Sequence, residues 1–344
     1  MKRTILSLAA FVCYSLGVFA QTDLVATLSH GSNLTTYHGA DGLSEAYAAA
    51  EAGDVITLSP GVFNSVNIEK AITIRGAGMM PLESNGYAST DLSGDFAINA
   101  PTSSSSVPTL EGLLALNKVS VNGESLAPVN LMKCRFQGEV IGCGVYMNAT
   151  YCVFAYSLYA KNNNGSCNTT LNCINCVIND AKCDGSYISS VGKIQATNCI
   201  VNVDSGEPYS TFNNCLILSR EYYENKPLDI TCSAHSCYGI NMQITPDLFA
   251  NINDTSNKML DGSGNDVVQS VFKTLSSWNN FQLTETFELT DAAAATYLGD
   301  DGKQVGIYGG PTPFNPVPNN PQVRKFVVDS STESGKLKVK INVE

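Results

Sequence analysis

The stretch Leu171-Asn172-Cys173-Ile174-Asn175-Cys176-Val177-Ile178 decides the fold. Leu171 and Cys173 keep one phase of alternation, Cys176 and Ile178 keep another, and the phase slips by one residue between them. Alternation at period two marks a strand with one buried face. Two short strands therefore meet at a bend, with Asn175 in it. Asparagine suits that place because it tolerates left-handed backbone angles and its amide bonds neighbouring backbone groups.

The register recurs on Cys134, Cys152, Cys199, Cys215 and Cys237. Two residues after the cysteines come Phe136, Phe154, Val201, Ile217 and Gly239. Three before them come Leu131, Ala149, Ala196, Phe212 and Ala234. The bend position is Asn198 and Asn214 in two further copies, and Lys133, Tyr151 and Ser236 in the others. An earlier copy without cysteine reads as Leu114, Leu116, Lys118, Val119 and Val121. Copies lie 15 to 24 residues apart, about the length of one coil of a parallel β-helix. The cysteines read as small apolar side chains packed over their equivalents in neighbouring coils, with room for one or two disulfides between rungs.

Outward from this core, the chain opens with Lys2, Arg3 and an apolar run from Ile5 to Ala20, the layout of a secretory signal peptide cleaved after Ala20. The run is short for a membrane span, which takes about 20 residues, and no other segment approaches it. The expected organisation is a signal peptide (1–20), a β-helix domain (21–310), a stiff proline-rich linker (311–322) and a C-terminal β-hairpin tail (323–344). In the tail, Leu337, Val339, Ile341 and Val343 alternate with lysines. A lone hairpin is marginal in water, so it is expected to dock on the solenoid or to pair with another chain.

Asp41 to Ala52 is alanine-rich, with Leu43, Ala46, Tyr47 and Ala50 on one helical face and Asp41 as N-cap. Val55 to Phe63 and Asn67 to Gly78 follow as strands and turns. A short helix, then GDVITLSPGVF (53–63), then a strand ending ITIRGAG (72–78) resembles the opening coils of pectin lyase-like right-handed parallel β-helix proteins. The resemblance covers about residues 40–310. It implies an all-β solenoid whose N-terminal helix caps the open end of the core. Phe287 to Thr290 followed by Gly302 to Gly310 resembles the last coil of secreted bacterial members.

With 20 basic and 31 acidic side chains the formal charge is −11. Nucleic acid and anionic lipid need a basic footprint, so neither is an expected partner. Enzymes on the resembled fold cleave acidic polysaccharides, and their marks are sparse here. A lyase of that type needs an Arg or Lys base. Arg75 and Arg135 fall within coils, Arg324 lies in the tail, and Arg220 lies in a loop. A hydrolase needs clustered carboxylates, and Asp300-Asp301 reads as turn chemistry. His30 and His38 precede the helix, and His235 reads as an outward side chain near the bend beside Cys237. Cys173 and Cys176 form an isolated CxxC, and Asp261-Gly262-Ser263-Gly264-Asn265 lacks the carboxylate that would complete a calcium loop. No metal or other cofactor is expected.

The inter-coil loops remain. Leu218 to Thr231 carries Arg220, Glu221, Tyr222 and Tyr223, and Asn179 to Lys193 carries Asp180, Asp184 and Tyr187. Equivalent loops of a solenoid leave on one side and form a wall. Aromatic and carboxylate side chains together suit a polysaccharide or cell-surface glycan. The expected function is a secreted, periplasmic or cell-surface protein that binds a glycan or surface partner without catalysis. The alternatives are a polysaccharide lyase or glycoside hydrolase with a divergent site, and a structural or adhesive protein acting through its hairpin.

Overall fold

The computed structural model describes residues 24–80, 89–102, 106–161, 168–183, 192–203, 210–219, 233–240, 256–260, 265–275, 281–282, 285–319, 323–328 and 339–343. The chain is a parallel β-solenoid of about six turns. Three stacks of short strands run along it. In the first sheet, Ile74, Leu110, Leu131, Ala149, Cys173, Ala196, Phe212 and Ala234 sit one above the other in parallel register. In the second, Phe63, Leu92, Ala115, Phe136, Phe154, Ile178, Val201 and Ile217 do the same. A third sheet stacks Phe96, Val119, Val140, Leu158 and Ala181. All point into one core, where the Phe136 and Phe154 rings stack at 5.2 Å.

The bend between the first and second sheets is left-handed in every copy. Lys133, Tyr151, Asn175, Asn198, Asn214 and Ser236 all have φ between 50° and 56°. Lysine, tyrosine and serine accept a strained angle that asparagine takes cheaply, so the position is dictated by the coil and not by the side chain. One copy differs from the sequence reading. Val119 belongs to the third sheet, beside Phe96 and Val140. The rung before Cys134 runs through Leu110, Gly112 (φ 66°), Leu113 and Ala115. Gly112 supplies the bend there, and Leu113 stands in the cysteine column. The apolar run Leu113-Leu114-Ala115 hides its own period, which is why the alternation misplaced it.

The cysteine column does more than pack. Sγ of Cys176, Cys199, Cys215 and Cys237 each accepts the backbone N–H of the cysteine one rung earlier, at 3.3–3.5 Å. Each also lies within donor reach of the earlier rung's carbonyl, such as Cys176 Sγ to Ala149 O at 3.4 Å. The left-handed bend turns these groups inward, where only a side chain can satisfy them. At the last described rung Asn257 takes over: its Oδ1 accepts the Cys237 N–H at 2.9 Å, and its Nδ2 donates to Ala234 O at 2.9 Å. The nine described cysteines are free thiols. Burial pushes Cys152, Cys199 and Cys237 well above the usual thiol range, so they stay protonated and inert.

At the N-terminal end β1 (Val25–His30) pairs antiparallel with β2 (Asn33–His38) and with the rung at Val55–Leu58. Helix α1 (Gly42–Ala49) buries Leu43 and Ala46 against this end. Lys70 Nζ donates to the carbonyls of Tyr47, Ala48 and Ala50 at the end of that helix. Asp41 stands at the N-cap, yet its carboxylate accepts from Asn64 Nδ2 at 2.8 Å and makes no bond to the helix.

The C-terminal part departs most from expectation. The described residues between 265 and 319 do not add a last coil. They lie across the outside of the second sheet. There Val153, Val177, Ile200, Leu216 and Tyr238, each one residue after a ladder cysteine, point outward and are buried under Val268, Val271, Phe272, Phe287, Leu289, Val305, Ile307 and Phe314. An outward apolar column of this kind requires a cover. Short helices α2 (Asn265–Val271) and α3 (Asp291–Thr296) belong to it. From Asp300 to Asn319 the chain then runs down the row of bends as a strap. Asn214 donates to Asp300 Oδ1, and Asn175 to Ile307 O and Gly309 O. Tyr151 donates to Thr312 O, and Lys133 to Val317 O and Asn319 Oδ1. Asn319 Nδ2 reaches Glu111 Oε1, whose partner oxygen faces Arg75 Nε at 3.0 Å. The prolines at 311, 313, 316 and 318 thus keep a docked segment extended. Beyond them Val323–Val328 and Val339–Val343 pair antiparallel.

Candidate functional site

The loops singled out from sequence leave the solenoid where the third sheet passes to the first. Their described ends stack: Lys182 pairs with Tyr159, Cys183 with Ala160 and Val203 with Ala181. Loop entry points therefore line up along one edge. Arg220, Glu221, Tyr222, Tyr223, Asp184 and Tyr187 lie outside the described residues, as do Asp261 to Gly264. Of the sequence candidates, Asp180 is placed. It sits at the corner before the third sheet, 3% exposed, with Oδ2 2.6 Å from Lys182 Nζ. The pair fixes Lys182 on the outer face.

Around this pair the third sheet presents residues that sequence reasoning passed over. Leu158 and Ala160 point into the core, so Tyr159 and Lys161 point out, beside Lys182 on the next rung. At the same corner Asn179 donates to Ala155 O at 2.8 Å, and Asn202 donates to Asn179 Oδ1 at 3.4 Å. The alternation Leu-Tyr-Ala-Lys was the available signal. The result is two ammonium groups and a phenol on the loop-bearing face, set over a buried carboxylate and buried amides. Such a set makes directional hydrogen bonds to hydroxyls and offers one aromatic surface.

Of the cationic candidates for lyase chemistry, Arg220 lies outside the described residues, and Arg75 and Arg135 are engaged elsewhere. Arg135 is fully buried beneath the cover, donating to Phe281 O and Gln282 O at 3.1 Å each. Burial pulls its guanidinium down to about 10, opposed by Glu285. Arg75 is paired with Glu111. Asp300 bonds Asn214 and lies 3.7 Å from His235 Nε2, while Asp301 Oδ1 accepts the Lys303 N–H. His30 Nδ1 meets Asp54 at 2.9 Å. Among the described residues no group of three or more His, Cys, Asp or Glu is arranged to hold a metal ion, and no helix is long and apolar enough to cross a membrane.

Two shallow clefts are described. One, of about 410 Å³, lies at a third-to-first-sheet corner between Asn99, Thr102, Asn122 and Glu124. The other, of about 320 Å³, lies on the cover between Lys273, Glu288, Asp291, Gln304 and Tyr308. Burial and the nearby Glu288 push the Tyr308 phenol up to about 12. Comparison of the chain with family models, curated proteins and solved structures returned no match.

Proposed function

We propose that the protein is a secreted or cell-surface β-helix of the right-handed, pectin lyase-like kind that binds a glycan or surface partner without catalysis. The leader-like Lys2 to Ala20 supports export. The position of α1 at the first coils supports its reading as a cap. The observation that carries the binding reading is the loop-bearing face, where Lys182, held by the buried Asp180, stands beside Tyr159 and Lys161 and so combines ammonium donors with an aromatic ring. The arrangement favours binding over bond cleavage. Its carboxylate is committed to an ion pair, and the internal arginines are committed to the cover and to Glu111. General acid–base work needs a group free to trade a proton with substrate.

Incubation of the full chain with a panel of neutral and acidic glycans tests this. Binding with no new reducing ends and no ultraviolet-absorbing unsaturated products is the expected result. Appearance of either product overturns the non-catalytic reading in favour of a hydrolase or a lyase.

A further inference from the structure

The outer face of the first sheet has a composition that the fold does not demand. Asn130, Asn148, Asn172 and Gln195 form one column across four successive rungs, pointing outward. Asn148 Nδ2 donates to Asn130 Oδ1 at 3.3 Å, and Asn172 Nδ2 donates to Asn148 Oδ1 at 3.1 Å. An amide carries two donors and two acceptor lone pairs. The ladder uses one donor and one acceptor of Asn148, one acceptor site of Asn130 and one donor of Asn172, which leaves at least one N–H and one lone pair on each for a partner. Alongside, Met132, Thr150, Ile174, Thr197 and Asn213 form the next outward column. Neither column holds a charged side chain between Asn130 and Asn213, in a chain of formal charge −11. Charged groups stand at the ends of these columns, the Arg75–Glu111 pair at one and His235 near Asp300 at the other, and Lys193 stands beside Gln195 on the neighbouring column. The second sheet's outer face is covered by residues 265–319, whereas among the described residues no element covers this one, and Ile174 remains 36% exposed.

We infer that this face is a platform for a neutral, extended polysaccharide lying along the solenoid axis, across the strands. The inference rests on the glycan-binding reading and names the ligand class. Parallel rungs repeat at about 4.8 Å, so the four amides offer a regular row of donors and acceptors roughly 14 Å long. A polymer with hydroxyls at regular intervals meets such a row without conformational adjustment on the protein side. The two columns carry no charge, so along their length a polyamine meets no counter-charge and a polyuronate meets one cation at the edge, Lys193, while every other charged unit loses water without return. Tyr146, on the outward column nearest the loops, supplies a ring for stacking at that edge.

The experiment is a depletion-binding isotherm of the full chain on insoluble neutral polysaccharides, with polygalacturonate and chitosan as charged comparators. Variants T150E and T197E put a carboxylate on the strip and leave the amide ladder intact, and N148A breaks the ladder. D180N and Y159A probe the loop-bearing face, and thermal unfolding confirms that each variant folds. The expected result is binding to a neutral polymer, weakened about tenfold or more by T150E and T197E. Binding weakened by D180N and Y159A but not by the strip variants overturns the platform and leaves glycan binding standing. Equal or tighter binding to a charged comparator overturns the neutral-ligand assignment. An absence of binding to every glycan overturns both readings.

Discussion

Replacing Cys176 separates two roles that a buried thiol combines. Its Sγ accepts the Cys152 N–H at 3.4 Å, and its proton lies within reach of Ala149 O and Ile174 O at 3.4 and 3.3 Å. Ile174 O already accepts from Tyr151 N, so the group with most to lose is the Cys152 amide. Valine fills the space and accepts nothing. Orphaning that buried N–H costs about 1–3 kcal/mol, and the extra methyl in a packed column adds to it. Serine is smaller yet keeps an acceptor and a donor. C176S is therefore expected to be more stable than C176V by about 1–3 kcal/mol. Urea titration reads the difference globally, and hydrogen exchange of the Cys152 amide reads it locally, which matters in a repeat array whose unfolding need not be all-or-none. If C176V matches or exceeds C176S and the Cys152 amide stays protected, the thiols are apolar filler and the hydrogen-bond account is wrong.

Asn175 combines a left-handed angle with two bonds to the strap. N175G keeps the angle cheaply and loses the bonds, so proteolysis within residues 300–319 is expected to quicken, while N175A also strains the bend and should cost about 1 kcal/mol more. The Tyr308 phenol has a folded pKa of about 12 against the ordinary 10.0. Its raised value means that the folded state holds the proton longer, so stability is intact below pH 10 and falls as pH rises toward 12, by up to about 2 kcal/mol after solvent screening. Y308F should abolish that fall in pH-dependent melting, and a phenolate absorbance titrating at the ordinary value would contradict it. Truncation after Asn319 should leave the melting temperature of the solenoid nearly unchanged. Truncation after Leu298 should lower it sharply and expose the Val153–Val177–Ile200–Leu216 column to a hydrophobic dye.

The bends were legible because a phase slip repeated on a conspicuous residue leaves no other economical reading. Its hydrogen-bonding role was not, since a sequence shows that a thiol is present and not which backbone groups the bend turns toward it. The Leu113 rung was misplaced because three apolar residues in a row carry no period. The cover was missed for a related reason. Val153, Val177, Ile200 and Leu216 sit between inward-facing neighbours and read as ordinary strand residues, although their outward phase was the sign that something must lie over them. Of the site, loop position followed from the repeat, but Tyr159, Lys161 and Lys182 emerged only once inward and outward residues of the third sheet were separated.

The strap has a consequence for how this protein can change over time. Solenoids ordinarily gain and lose coils by duplication, because each coil touches only its neighbours. Here one continuous segment meets Asn214, Asn175, Tyr151, Lys133 and Glu111 in order. An inserted coil would move every later docking point by one rung, about 4.8 Å, while the strap kept its length. Copy number is thereby tied to the span of some twenty residues elsewhere in the chain, and a repeat could be added to this molecule only together with a matching extension of its own measuring tape.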